Sequence, residues 1–207
     1  MSTIISGDTG VSKLQDDTVG TNAIVDESIT VDKIDPAILA DVTTSVLMPA
    51  QSATGVASLS FDDIPAWASR YQVIFSGVSL VTQSPIIIKV ATTAGVISTG
   101  YNSSIAGISS ATVLAAITSP VSGIVISSGA GTYESTGIFT FESIDGVELV
   151  GTGVFSLVGN SAAPVTVFCA GRIDPGDKIT RIIISSVDGT YLFDNGTISV
   201  RYEGEQS

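Results

Sequence analysis

The sequence predicts a mainly β protein in two parts. Residues 1–45 read as a short extended repeat segment with a short helix, and residues 46–207 as an antiparallel β-sandwich of jelly-roll-like kind. Three observations lead there. From Val46 onward β-branched residues dominate, and turn signals recur about every 8–12 positions, the spacing of an all-β sandwich or barrel. Helix signal in that region is nearly absent. Before Val46 the aliphatics recur every fifth residue, a period that fits neither the helix at about 3.6 nor the strand at 2.

The repeat comes first in the chain. Its aliphatic row is Leu14, Val19, Ile24, Ile29, Ile34 and Leu39, within a longer frame in which Lys13-Leu14 recurs as Ala23-Ile24 and Lys33-Ile34. Such a segment has one apolar row and no second layer to bury it against, so copies of itself or a partner must cover it. A pentapeptide solenoid is one way to use this period. It needs small residues two positions before each aliphatic, where this chain has Ser12, Asp17, Asn22, Glu27, Asp32 and Ala37, and it needs more coils to bury a core. Trimerisation solves the burial better: three aliphatics meet at each level of one axis, and the acidic residues face outward. The row is therefore the expected trimer interface.

Asp35-Pro36 then marks a helix start, with Asp as N-cap and Pro at the first helical position. Thr43-Thr44-Ser45 ends that turn and is expected to be a linker. Strands are expected near 46–50, 55–61, 71–78, 86–91, 96–101, 112–117, 123–127, 137–141, 153–157, 165–172, 179–187 and 197–202. Ile198, Val200 and Tyr202 alternate onto one face, as do Tyr71, Val73 and Phe75. Asp188-Gly189 and Asn195-Gly196 are tight-turn dipeptides, and Asp174-Pro175-Gly176-Asp177 is another turn. Residues 64–68 leave room for one short turn, with Trp67 plugging the end of the sandwich.

Composition narrows the function. A net charge of −12 with scattered basic residues argues against nucleic acid. No histidine is present, which removes Ser-His-Asp and Cys-His catalysis and the commonest zinc ligand. The lone Cys169, in an apolar run, reads as a buried inert thiol. The N-terminus lacks the basic and apolar regions of a signal peptide, and no apolar run is long enough to span a membrane. The expectation is a product made in a cytoplasm with no membrane insertion. Only 14 % of residues are charged, and 90–133 carries no charged residue at all. That stretch reads as core hairpins, as a subunit interface, or as a neutral surface for a ligand.

No catalytic constellation emerges. The acids between Asp16 and Asp35 lack the alternating spacing and closing Glu of a calcium loop, so neither metal nor cofactor is expected. Asp62-Asp63 reads as turn chemistry. Glu134, Glu142, Asp145 and Glu148 cluster in sequence, yet nothing fixes the two-carboxylate cleft of a glycosidase. Gly151-Thr152-Gly153 is not followed by a helix, so it is no phosphate loop. Carbohydrate binding needs only an exposed aromatic ring with a few amides or hydroxyls, and Tyr101, Asn102 and Tyr133 supply these groups.

Two stretches resemble virion fibre proteins of tailed bacteriophages. Residues 12–34 look like their short shaft repeats. The segments 61–68, 75–79, 100–103, 179–181 and 193–203 look like the β-sandwich that ends tail-fibre and head-fibre proteins. The resemblance implies a homotrimer in the virion, with the N-terminus attached to the particle and the β-domain outermost. The expected function is attachment to a tail or capsid protein through the N-terminal segment and binding of a host-surface glycan by the β-domain. It implies no catalytic residues. The alternative is a capsid decoration or head-fibre protein with a purely structural role.

Overall fold

The computed structural model describes residues 43–109, 113–118, 122–127, 133–159 and 164–205. The chain divides into two units, Met1–Val42 and Thr43–Ser207, and the described residues belong to the second. The row Leu14, Val19, Ile24, Ile29, Ile34 and Leu39, and the helix expected after Asp35-Pro36, lie outside them.

The described residues are mainly β, all pairings are antiparallel, and no helix occurs among them. The strands are β1 (Thr43–Leu47), β2 (Gln51–Ser52), β3 (Ser58–Phe61), β4 (Ala68–Leu80), β5 (Ile86–Thr92), β6 (Gly95–Val96) and β7 (Asn102–Ile108). They continue with β8 (Val113–Thr118), β9 (Ile124–Val125), β10 (Tyr133–Ser143), β11 (Leu149–Gly159), β12 (Val165–Ile173), β13 (Arg181–Ser186) and β14 (Phe193–Glu205). The large sheet has the order β1-β14-β4-β10-β11-β12-β7-β8, with β2 beside β14. The small sheet has the order β3-β13-β5-β6, with β9 beside β5.

One hydrophobic cluster joins the two sheets. Tyr71, Val73 and Phe75 of β4 and Ile198 and Val200 of β14 are buried in it, as their alternation predicts; Tyr202 continues that face and is partly buried. Phe139, Phe141, Phe155 and Val167 enter from the large sheet, and Ile88, Ile182 and Ile184 from the small one. Phe75 and Phe155 meet edge to face at 5.4 Å. Each such ring contributes about 1.5–3 kcal/mol through burial. Gly151 and Gly153 make room for another: they pair across the strand with Phe141 and Phe139, and a Cβ on Gly153 would lie 2.8 Å from the Phe139 ring. This Gly-Thr-Gly is a seat for an aromatic ring within a strand.

Three expectations are corrected. Thr43-Thr44-Ser45 is strand, not linker, because it completes an edge beside Ser45↔Glu203 and its neighbours on β14. The strand expected at 96–101 lies later, at Asn102–Ile108, while 97–101 carries Tyr101 into the core. Asn195-Gly196 forms no hairpin turn: it sits within β14 at an irregularity against β4, where Gly196 and its neighbour Gly77 both adopt positive φ. The other turn signals hold. Gly189 has φ 69° and donates to the Ser186 carbonyl at 3.0 Å. The Gly176 N–H bonds the Asp174 carboxylate at 2.9 Å. Residues 65–68 form one turn, closed by the Ala68 N–H on the Pro65 carbonyl, and Trp67 packs edge-on to Tyr202 at 5.5 Å.

The register defines two ends. Thr43 pairs with Glu205 and Ala68 with Gly204, so the chain enters β1 at the end where β4 begins and β14 finishes. Phe193 pairs with Leu80 at the opposite, far end.

Candidate functional site

The residues expected to bind a ligand do not come together. Tyr101 is only 3 % exposed. Its hydroxyl accepts the Val90 N–H at 2.8 Å and donates to the Ile97 carbonyl at 3.2 Å. Burial pushes its pKa up to about 12, partly opposed by the Val90 N–H. The exposed ring that a sugar needs is therefore not offered by Tyr101. Asn102 is exposed and pairs with Arg172 at the near end. Tyr133 is partly buried at the far end, opposite Gly159. β10 runs from Tyr133 past Glu142, which lies in the row of Arg70. At about 3.4 Å per residue the two sites are roughly 30 Å apart.

The near end carries most of the charges, while Glu134, Asp188 and Asp194 lie at the far end. Arg70 bridges Glu142 at 2.8 Å and Glu203 at 3.5 Å, and Arg172 holds Glu148 at 3.0 Å. Asp145 accepts the N–H groups of Glu148 and Val147 and so pins the β10–β11 turn. Those hydrogen bonds, that from Glu148 foremost, hold its carboxyl below the usual carboxylate range. Asp62 is ion-paired to Arg181, while Asp63 takes the left-handed conformation at φ 61°. A cleft of about 610 Å³ is lined here by Trp67, Ser69, Arg70, Glu142, Glu203, Gly204 and Glu205. Two of its carboxylates face one guanidinium. Of the sequence cluster, Glu142 and Glu148 are held in ion pairs and Asp145 in a turn, while Glu134 lies at the far end and accepts from the Asn195 side-chain amide at 3.0 Å. Among the described residues no group of three or more metal-ligating acids or thiols is placed to hold an ion. Cys169 is buried, its thiol donates to the Gly153 carbonyl, and desolvation raises its pKa to about 12.

The far end has a different character. Three loops, 53–57, 81–85 and 187–192, are tied by backbone hydrogen bonds. Gly55 donates to the Phe193 carbonyl, Phe193 to Val56, and Val81 to Leu192, at 2.8–3.0 Å. Val187 further donates to Pro85 at 2.9 Å. The loops are thus anchored, yet they expose Val56, Val81, Leu192 and the ring of Tyr191, the last 38 % exposed. Thr82, Gln83 and Thr190 add hydroxyl and amide groups in the same loops. With the exposed Asp188 beside them, these groups make an anchored platform of one exposed ring, neutral polar groups and one carboxylate, which suits weak recognition of a sugar face. Sequence reasoning missed Tyr191. The available signal was the Asp188-Gly189 turn followed at once by Tyr191-Leu192, two large apolar residues with no room to turn inward before Phe193 takes the core position.

Comparison with models of protein families, with characterised proteins and with solved structures finds no match.

Proposed function

We propose that this chain is a virion fibre protein of a tailed bacteriophage, a homotrimer made in the host cytoplasm. Its N-terminal repeat attaches it to a tail or capsid protein, and its β-domain acts in attachment to a host-surface glycan rather than in catalysis. One observation carries this most directly. The chain enters the β-domain at one end, and the exposed aromatic and aliphatic loops lie at the other. A domain held from its entry point would present those loops outward.

The jelly-roll-like description has support in the strand order. The small sheet contributes β3-β13-β5-β9, and the large sheet contributes β4, the meander β10-β11-β12, then β7 and β8. In that reading they correspond to the two four-membered orders of a jelly roll, with one strand replaced by a three-stranded meander and with β14 and β1 added beyond β4.

Adsorption of the intact chain to host cells tests the role. Three weak sites on one trimer gain through avidity. Tyr191→Ala, which removes an exposed ring, should therefore lower cell binding at least tenfold while leaving the thermal midpoint unchanged. Binding to capsids but not to cells would favour the decoration role. Release of reducing sugar from host glycan would overturn the non-catalytic assignment.

A further inference from the structure

The outer face of the large sheet has no cover within the described residues. Ile138, Val154 and Phe168 lie side by side in register on β10, β11 and β12, exposed by 44 %, 53 % and 46 %. Ile74 on β4 and Ala106 on β7 extend the row on either side. Uncharged rows flank it, Thr140–Thr152–Ala170 towards the near end and Thr136–Ser156–Thr166 towards the far end. On these five strands the charges of the outer face stand only beyond the flanking rows, as Arg70, Glu142 and Arg172 at one end and Glu134 at the other.

With strands about 4.8 Å apart and about 3.4 Å per residue, the charge-free area is roughly 600 Å². That area joins the apolar row to its hydroxyl-bearing flanks, and it approaches the ~800 Å² that each partner buries in a stable interface. Charge depletion at the centre with polar groups at the rim is the compositional mark of an interface core. A nucleic acid would find no cation here, and a sugar would find few amides. A flat apolar sheet face is well covered by another sheet face packed about 10 Å away. Three copies can turn this face to one common axis, each meeting its two neighbours there, and that contact requires no charge matching because the central rows carry none.

We propose that this face packs against another copy of this chain, so that the β-domain, and not the repeat alone, holds the trimer together. This rests on the homotrimer assignment above. The intact chain carrying Ser156→Cys tests it by maleimide labelling. Native Cys169 is buried and stays silent. Ser156 is exposed on the single subunit, as is Ser98 in a loop, so Ser98→Cys serves as the reference.

In the assembled chain Ser156→Cys should label at least tenfold more slowly than Ser98→Cys, and Thr166→Cys on the neighbouring strand should behave alike. Phe168→Glu should restore fast labelling at Ser156→Cys. Equal labelling rates in a chain that light scattering shows to be trimeric would overturn the face and leave the trimer standing. A monomeric intact chain would overturn both.

Discussion

Replacing Tyr101 by Phe separates the role the sequence suggests for this residue from the role the structure gives it. The substitution keeps the ring in the core and removes only the hydroxyl. That hydroxyl is the acceptor for the Val90 N–H at 2.8 Å and a donor to the Ile97 carbonyl at 3.2 Å. Val90 is fully buried, so its N–H has no route to water once the oxygen is gone. Ile97 is only partly buried, and its carbonyl can be solvated. The dominant loss is the orphaned donor, about 1–3 kcal/mol, against about 0.5–1.5 kcal/mol for an ordinary exchanged hydrogen bond. We expect about 2 kcal/mol of destabilisation. With a urea slope of about 2 kcal/mol/M, the midpoint should fall by roughly 1 M. Equilibrium urea unfolding of the intact chain, followed by Trp67 fluorescence, measures it, with host-cell adsorption assayed in parallel. An unchanged midpoint together with lost adsorption would refute the structural role and return Tyr101 to the binding site.

Other consequences concern packing, pH and assembly. Gly153→Ala places a Cβ 2.8 Å from the Phe139 ring and 2.9 Å from the Ile138 carbonyl. It should cost about 1–3 kcal/mol by denaturant unfolding, and Phe139→Leu in the same chain should recover part of that loss. Alkali should weaken the fold. Burial raises Cys169 from 9.0, and Tyr71 and Tyr101 from 10.0, each to about 12. The unfolded chain ionises first, so this stability is full below pH 9 and is lost as pH rises towards 12. By pH 11 the loss is roughly 5 kcal/mol, visible as a collapse of the urea midpoint relative to pH 7. Ile24→Asp with Ile34→Asp should break the trimer or its docking, read by light scattering and virion binding, while the circular dichroism of the β-domain is unchanged. Surviving assembly would make the repeat only a tether.

Much of the fold was legible because alternation is a local property. Tyr71, Val73 and Phe75, and Ile198 and Val200, announce their buried faces in the sequence and keep them in the structure. The hairpin of β10 and β11 was harder to see. Each strand spans 11 residues, twice the expected length, because Gly137, Gly151 and Gly153 interrupt its inner face and Ile138 and Val154 add apolar groups to its outer one. Those glycines follow from a distant demand, the bulk of Phe139 and Phe155 on the neighbouring strand. Asn195-Gly196 misled for a related reason. A dipeptide suited to positive φ marks a bulge as readily as a hairpin turn, and only the pairing with β4 distinguishes them.

The site was less legible than the fold. Whether an aromatic is exposed depends on which strands close over it. Tyr101 is claimed by the unpaired N–H of Val90, eleven residues away, and Tyr191 is left outside because Phe193 occupies the core. Likewise the carboxylates near Glu142 looked like a cluster until Arg70 and Arg172 arrived from other strands. Exposure and ion pairing are tertiary outcomes, and the residue types alone leave them open.

The claim at the centre of this account is that the chain is part of a virion and projects from it. Immunoelectron microscopy of purified particles, with an antibody raised against residues 46–207, tests that most directly. The account predicts gold at the outer ends of fibres, displaced from the tail or capsid surface. Particles free of label, with the protein confined to the soluble fraction of the lysate, would contradict it.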